Sequence, residues 1–430
     1  MVLAAACSST PDPRGPIVSG PAPVGEIDPF AQDVEEAPQE ARRYDRRAFV
    51  APLHMQDTRP VRIGLLLPFS AASSNVQTIA SAMFDAAQLA MFEAGDTRFL
   101  LIPKDTKGNP EGAAAAARSA FADGAEIILG PLFANSVEAV KPVADAVGAP
   151  VIAFSSDVNV AGDGVYLLSF PPEIEIVRVT DYAMVNDISR FGLLAPATDY
   201  GARVSSAFSQ ELSQRGGILV HQEVYEQDPD KMLAPARRLA KYSTEIIPPE
   251  MRHNYDPDNP QAAPTPGGQA YGYQAVLMPE QGTLLRALAP LLPYYNVDIN
   301  RIKILGVSGW NNPRLSREPA LRGGWFAAPD PEATARFNER YKAAFGSNPP
   351  KLASLSYDAT LLAARLGRGN NARNRFEARA IADPNGYYGA DGLFRLTPDG
   401  RVERGLAILE IQPEGIQVID PAPKSFVTGF

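Results

Sequence analysis

The sequence predicts an α/β protein of two similar lobes in series, each a mainly parallel sheet with helices on both faces. Three observations predict it. Short apolar runs closed by proline or glycine alternate with segments of helical periodicity, the rhythm of strand–helix–strand units. The rhythm then restarts: Gly64-Leu65-Leu66-Leu67-Pro68 is echoed 128 positions later by Gly192-Leu193-Leu194-Ala195-Pro196. Finally, 430 residues with 45 % apolar and 21 % charged side chains suffice for sizeable cores, on a prior of about 150 residues per domain.

In the first half, residues 61–68 form an apolar run ended by Pro68, the mark of a strand buried on both faces. Ile79, Met83, Ala86 and Ala90 then fall on one face of a helix. Phe99–Pro103 is the next strand, Glu111–Asp123 an alanine-rich helix, Ile127–Pro131 a third strand, Ser136–Val147 a helix and Pro150–Phe154 a fourth strand. In the second half the strands are residues 191–196, 218–224 and 274–279, with a helix over 203–215. Pro257, Pro260, Pro264 and Pro266 break any element within 248–272, which reads as a loop insertion.

Ahead of these lobes lie two further segments. Residues 1–7 end an apolar run of small residues at Cys7, the chain's single cysteine, which Ser8 follows. Small residues before a cysteine resemble the lipobox of bacterial lipoproteins. That resemblance implies acylation of Cys7 and a signal sequence extending upstream. Residues 8–60 carry Pro11, Pro13, Pro16, Pro21, Pro23 and Pro29 without strand or helix periodicity, and are expected to be an extended tether.

Composition excludes several functions. A net charge of −9 argues against nucleic acid as partner and against adhesion to an anionic surface through net charge. One cysteine and three scattered histidines leave no thiolate-rich or histidine-rich metal site, and no cofactor is expected. Neither Ser-x-x-Lys nor Gly-x-Ser-x-Gly occurs, nor a phosphate-binding glycine motif, nor His-Glu-x-x-His. An enzyme is not expected.

The two-lobed rhythm over residues 61–420 resembles type I periplasmic-binding proteins, such as the leucine-binding proteins of ABC importers. Two stretches are closer to the penicillin-binding-protein activators, a family of outer-membrane lipoproteins. Leu288-Ala289-Pro290-Leu291-Leu292-Pro293-Tyr294-Tyr295 looks like that group's Pro-x-Leu-x-Tyr-Tyr ending. Tyr388-Gly389-Ala390-Asp391-Gly392-Leu393-Phe394-Arg395-Leu396, with Arg401-Val402-Glu403-Arg404-Gly405-Leu406 after it, looks like its Gly-Ala-x-Gly-x-Leu hairpin and basic continuation. The best studied members carry a large helical-repeat domain before the binding-protein body; in this sequence the proline-rich tether is expected ahead of that body.

The fold implies lobes discontinuous in sequence. Residues 61–170 plus 331–390 are expected to build the first lobe and 171–330 plus 391–420 the second, with a hairpin over 393–411 in the second. Open α/β sheets bind at the C-terminal ends of their strands. Those ends offer Ser70, Ser136, Ser155, Ser156 and Asp157 in the first lobe and Tyr200, Glu280 and Trp310 in the second. In amino-acid binders of this fold the loop matching 155–157 holds the ligand carboxylate. The opposite lobe then gives an aromatic and an acid to the ammonium, roles open to Tyr200 and Glu280. Ser136 reads equally as a helix cap, and 155–157 as a turn.

Two functions follow from the resemblance. The preferred one is a non-catalytic periplasmic lipoprotein, anchored to the outer membrane, that stimulates a bifunctional penicillin-binding protein in peptidoglycan synthesis. The alternative is the solute-binding receptor of an ABC importer for branched-chain or other amino acids.

Overall fold

The computed structural model describes residues 60–245, 272–368 and 375–427; Cys7, the tether and the 248–272 insertion fall, but for Pro60 and Gly272, outside them. The described residues belong to one compact unit. Its first half runs β1 (Val61–Leu67), α1 (Ser74–Ala94), β2 (Phe99–Asp105), α2 (Pro110–Ala122), β3 (Ile127–Leu129), α3 (Ala134–Asp145), β4 (Val151–Ala153) and β5 (Val165–Leu167). The second runs α4 (Pro172–Val185), β6 (Arg190–Pro196), α5 (Asp199–Arg215), β7 (Ile218–Tyr225), α6 (Pro229–Ala240), β8 (Ala275–Leu277), α7 (Gly282–Leu288), α8 (Leu291–Tyr294), β9 (Lys303–Gly306) and β10 (Trp325–Ala328). The chain ends with α9 (Pro331–Phe345), α10 (Ala353–Gly367), α11 (Ala378–Ile381), β11 (Tyr387–Gly389), β12 (Gly392–Leu396), β13 (Val402–Arg404), β14 (Ala407–Gln412) and β15 (Gly415–Asp420).

The first sheet has the order β2-β1-β3-β4-β5, all parallel. The second has the order β15-β14-β10-β9-β8-β6-β7. Its β7-to-β10 part is parallel and repeats the first sheet's order, while β14 joins β10 antiparallel. The echoed Gly-Leu-Leu segments are therefore equivalent strands, β1 and β6, each placed where the strand order reverses.

Strand periodicity explains the cores. Val61, Ile63, Leu65 and Leu67 point into one apolar cluster with α1 and α10 residues such as Met83, Leu355 and Leu362. Leu66 points the other way, into a cluster with Ala117 of α2 and Val140 of α3. A strand buried on both faces needs an unbroken apolar run, and 63–67 supplies one. The second sheet is covered likewise by α4, α5, α6 and α7, through Ile176, Phe208, Leu239 and Leu285.

After β10 the chain returns to the first core: α10 packs along α1. The final hairpin differs from expectation. Tyr387, Phe394, Leu396 and Val402 of the small antiparallel sheet β11-β12-β13 all enter the first core. Only β14 and β15 extend the second sheet, so the last crossing lies at Gly405-Leu406 rather than near residue 391. β13 and β14 are separated only by Gly405-Leu406, so nothing in the local sequence marks the change of partner.

The three crossings meet at a buried charge cluster. The Arg404 Nε–H donates to the Ser169 carbonyl at 2.7 Å, tying the third crossing to the first. The Tyr388 hydroxyl donates to Asp330 at 2.8 Å, and the Thr334 hydroxyl to Asp391 at 2.9 Å, drawing in the second. Arg404 stacks over the Phe170 ring with Asp358 and Asp391 within electrostatic range, and all three charged side chains are buried.

Candidate functional site at the strand ends

The loops after β1, β3, β4, β6, β8 and β9 gather at the carboxyl ends of the two parallel sheets, where the backbone N–H and C=O groups of the strands run out of partners. Side chains span the two sets of loops. Arg203 of α5 donates through Nη2 to the Ser156 carbonyl at 3.1 Å and holds Glu173 of α4 with both Nε (2.8 Å) and Nη2 (2.9 Å). Lys351, just before α10, donates to the Ser308 hydroxyl at 2.9 Å, and its ammonium lies over the Phe170 ring.

In the first lobe Ser70, Ser155 and Asp157 hydrogen-bond within the chain. Ser70 gives both its N–H and its hydroxyl to Asp105. The Ser155 hydroxyl accepts from the Asp157 N–H at 3.1 Å. Asp157 accepts from the Asn159 N–H at 3.0 Å and caps the short 3₁₀ turn Val158–Val160, the local turn chemistry that short polar side chains favour. Ser136 is fully buried within α3, and its hydroxyl oxygen has no protein partner.

In the second lobe Glu280 is buried. One carboxylate oxygen accepts from the Tyr225 hydroxyl at 2.9 Å and from Gln227 at 3.0 Å; the other accepts from the Gln281 N–H at 3.0 Å. Tyr200 projects from the first turn of α5, which Thr198 caps through the Gly201 N–H at 3.1 Å. Burial, reinforced by the carboxylates of Glu175, Glu280 and Glu173, holds the Tyr200 phenol well above its usual range. The Tyr225 phenol is raised by burial and by Glu280. Trp310 departs from expectation. It is fully buried in the second core, tilted against Phe326, and its indole N–H donates to the Glu280 carbonyl at 2.8 Å. It holds the Glu280 loop in place and presents no face to a ligand.

Sequence reasoning missed Glu175, Arg203, Ser308 and Lys351. Glu175 is buried in the first turn of α4, accepts from the Ser308 N–H at 2.8 Å, and is pushed up by burial against the opposing pull of Lys351. Two acids in the first turn of a helix look like ordinary solvated dipole partners, so only tertiary packing reveals the buried one. Beside the Arg203 bridge runs a groove of about 600 Å³ lined by Glu173, Val177, Ala207 and Arg401 among others; of the eight expected residues only Asp157 reaches it. Among the described residues no group of three or more His, Cys, Asp or Glu could hold a metal ion, and no helix is long and apolar enough to cross a membrane.

Two mainly parallel sheets of matching order, three crossings and a shared set of strand-end loops define the two-lobed type I periplasmic-binding fold of the leucine-binding-protein kind. Residues 60–244 match the family model for periplasmic binding proteins. The fold is similar to that of a branched-chain amino acid ABC transporter periplasmic ligand-binding protein from Burkholderia xenovorans LB400, with a TM-score of 0.62 and 16 % identity over 85 % of this chain and 96 % of that one. It is similar to the LpoA C-domain of Haemophilus influenzae, described as a regulator of PBP1A, with a TM-score of 0.61 and 16 % identity over 83 % and 99 %. A solute-binding protein of an R. palustris ABC transporter, solved with benzoate, has a TM-score of 0.54 and 14 % identity over 85 % and 97 %. A curated protein of Rickettsia prowazekii (strain Madrid E), itself uncharacterized, is 26 % identical over 115 residues, which span 27 % of this chain and 31 % of that protein.

Proposed function

We propose that this chain is a non-catalytic periplasmic regulator that binds a bifunctional penicillin-binding protein and stimulates peptidoglycan synthesis, held at the outer membrane by a lipid on Cys7. One observation carries the reading. Donors that a ligand carboxylate would need are already committed within the chain: the Ser70 N–H and hydroxyl to Asp105, the Asp157 N–H to the Ser155 hydroxyl oxygen, and the Arg203 guanidinium to Glu173 and the Ser156 carbonyl. A small solute would have to displace those bonds before gaining its own, whereas a protein partner uses the outer surface. The likeness to the LpoA C-domain and the two activator-like stretches support the same reading.

The importer-receptor alternative rests on the second lobe. The Glu280 and Glu175 carboxylates both act on the Tyr200 phenol, a local negative charge suited to the ammonium group of an amino acid. The likeness to the B. xenovorans ligand-binding protein favours that reading equally. The test is transpeptidation by a purified bifunctional penicillin-binding protein with and without the body 57–430, beside calorimetry with a panel of free amino acids. Stimulation without amino-acid binding is the expected result. Tight amino-acid binding with no effect on transpeptidation would transfer the assignment to the importer receptor.

A further inference from the structure

We infer that the outer face of α6, α7 and α8 is a docking surface for an acidic segment of the partner synthase, an inference that rests on the regulator reading above. The chain as a whole is acidic, with 49 carboxylate side chains against 40 lysines and arginines, yet residues 231–244 and 282–297 contain no Asp or Glu. They contain Lys231, Arg237, Arg238, Lys241 and Arg286. Lys231 is paired with Glu226 and Arg238 with Glu223. Arg237, Lys241 and Arg286 are exposed and have no ion-pair partner among the described residues.

Topology gathers these cations around aromatic side chains. Helix α8 packs against both α6 and α7. Tyr294 at its end is 67 % exposed and meets Tyr295 edge-to-face at 5.0 Å. The Arg237 charge reaches the Tyr295 phenol, and Leu233, one turn earlier on α6, is 42 % exposed. Tyr and Arg around a small apolar anchor are the residues that dominate protein interfaces. Unpaired cations on an otherwise acidic body select an acidic partner and steer it to this face. A bilayer fits less well, because Leu233 is the one strongly apolar side chain exposed there among the described residues, and interfacial binding needs a broader apolar face.

The test uses the full chain and the purified bifunctional penicillin-binding protein, with affinity measured at low and high salt. Arg237→Glu with Arg286→Glu, and separately Tyr294→Ala, should each weaken binding at least tenfold, and the charge reversal should flatten the salt dependence. Arg237→Lys with Arg286→Lys should retain binding. Arg322→Glu with Lys342→Glu, the same charge change elsewhere, should alter it less than twofold. Circular dichroism confirms that each variant is folded. Wild-type binding unaffected by the patch variants overturns this docking face and leaves the regulator reading standing; no wild-type binding overturns both. Patch-dependent flotation with phosphatidylglycerol vesicles, without patch-dependent synthase binding, replaces the protein partner with a membrane surface.

Discussion

Gly306 lies against the face of the Trp310 indole: a methyl group on its α-carbon would fall 2.2 Å from the ring atoms Cδ2 and Cε2. The glycine at the end of β9 is what lets the largest buried side chain of the second lobe fold back over its own strand and reach the Glu280 carbonyl. Gly306→Ala should therefore destabilise by roughly 1–3 kcal/mol through overpacking. Trp310→Ala should cost roughly 3–5 kcal/mol through the cavity it leaves. Denaturant unfolding of both variants checks this; a Trp310→Ala protein as stable as wild type would mean the indole is not part of the core.

The buried Asp358 gives stability a pH dependence. Burial, helped by Asp391, pushes its carboxyl up to about 7 from the usual 3.8. The folded state then binds more protons than the unfolded chain between these values, so this group's contribution to stability is lost as pH rises from about 4 to about 7. Asp358→Asn keeps an acceptor for the Ala390 N–H, which lies at 2.6 Å, and should remove most of that slope. Unfolding free energies across this pH range for both proteins decide the matter; parallel curves would exclude Asp358 as the source.

The same carboxylate explains an invitingly small residue in the hairpin. A methyl group on Gly389 would sit 2.3 Å from the Asp358 Oδ1. Gly389→Ala should lower the melting temperature through that collision, and should do so less in an Asp358→Ala background. Equal losses in both backgrounds would place the strain elsewhere.

Arg203 is a bridge of modest strength, since it and Glu173 are about one-third exposed. Arg203→Met should change global stability by less than about 1 kcal/mol. Its effect should be local: faster hydrogen exchange of the backbone at 155–160, whose turn loses its tie to α5. Unchanged exchange there would show that the loop is held by its Ser155 and Asp157 turn alone.

Ser155→Ala combined with Tyr200→Ala separates the two functional readings. Stimulation of the synthase should survive the pair, because a protein interface of about 800 Å² per side does not depend on two strand-end side chains. Any amino-acid binding should be lost, at roughly 1–3 kcal/mol for each missing hydrogen bond to a buried charged group. Loss of stimulation in a folded double variant would bring the strand-end loops into the partner interface.

Much of the fold was legible in residues 61–196 because both sheet centres are strands buried on two faces, whose unbroken apolar runs have few other readings. The ends of the chain were less legible. Phe394, Leu396 and Val402 have the alternation of any half-buried strand, and nothing local says which lobe buries them. The site followed the same division. The positions of Ser155, Asp157, Tyr200 and Glu280 at strand ends could be read from the sequence, a rule of topology. Glu175, Lys351 and the burial of Trp310 depend on contacts between segments distant in sequence: the Ser308 N–H on Glu175 spans 133 residues, Lys351 on Ser308 43, and the Trp310 indole on Glu280 30.

The return of the chain to its first lobe has a consequence for the order in which the protein can be made. Met83 and Leu65 share their core with Leu355, Phe394 and Val402, so that core stays incomplete until the ribosome has passed residue 402. The second sheet waits still longer, for β14 to cover the open flank of β10. At about 5–20 residues per second, synthesis of the last third of the chain takes many seconds during which one face of the first core and one flank of the second sheet lack their partners. Completion of both cores is therefore tied to the last residues of the body to be made, although the Leu66 face of the first sheet, which needs nothing beyond β5, can be covered much earlier.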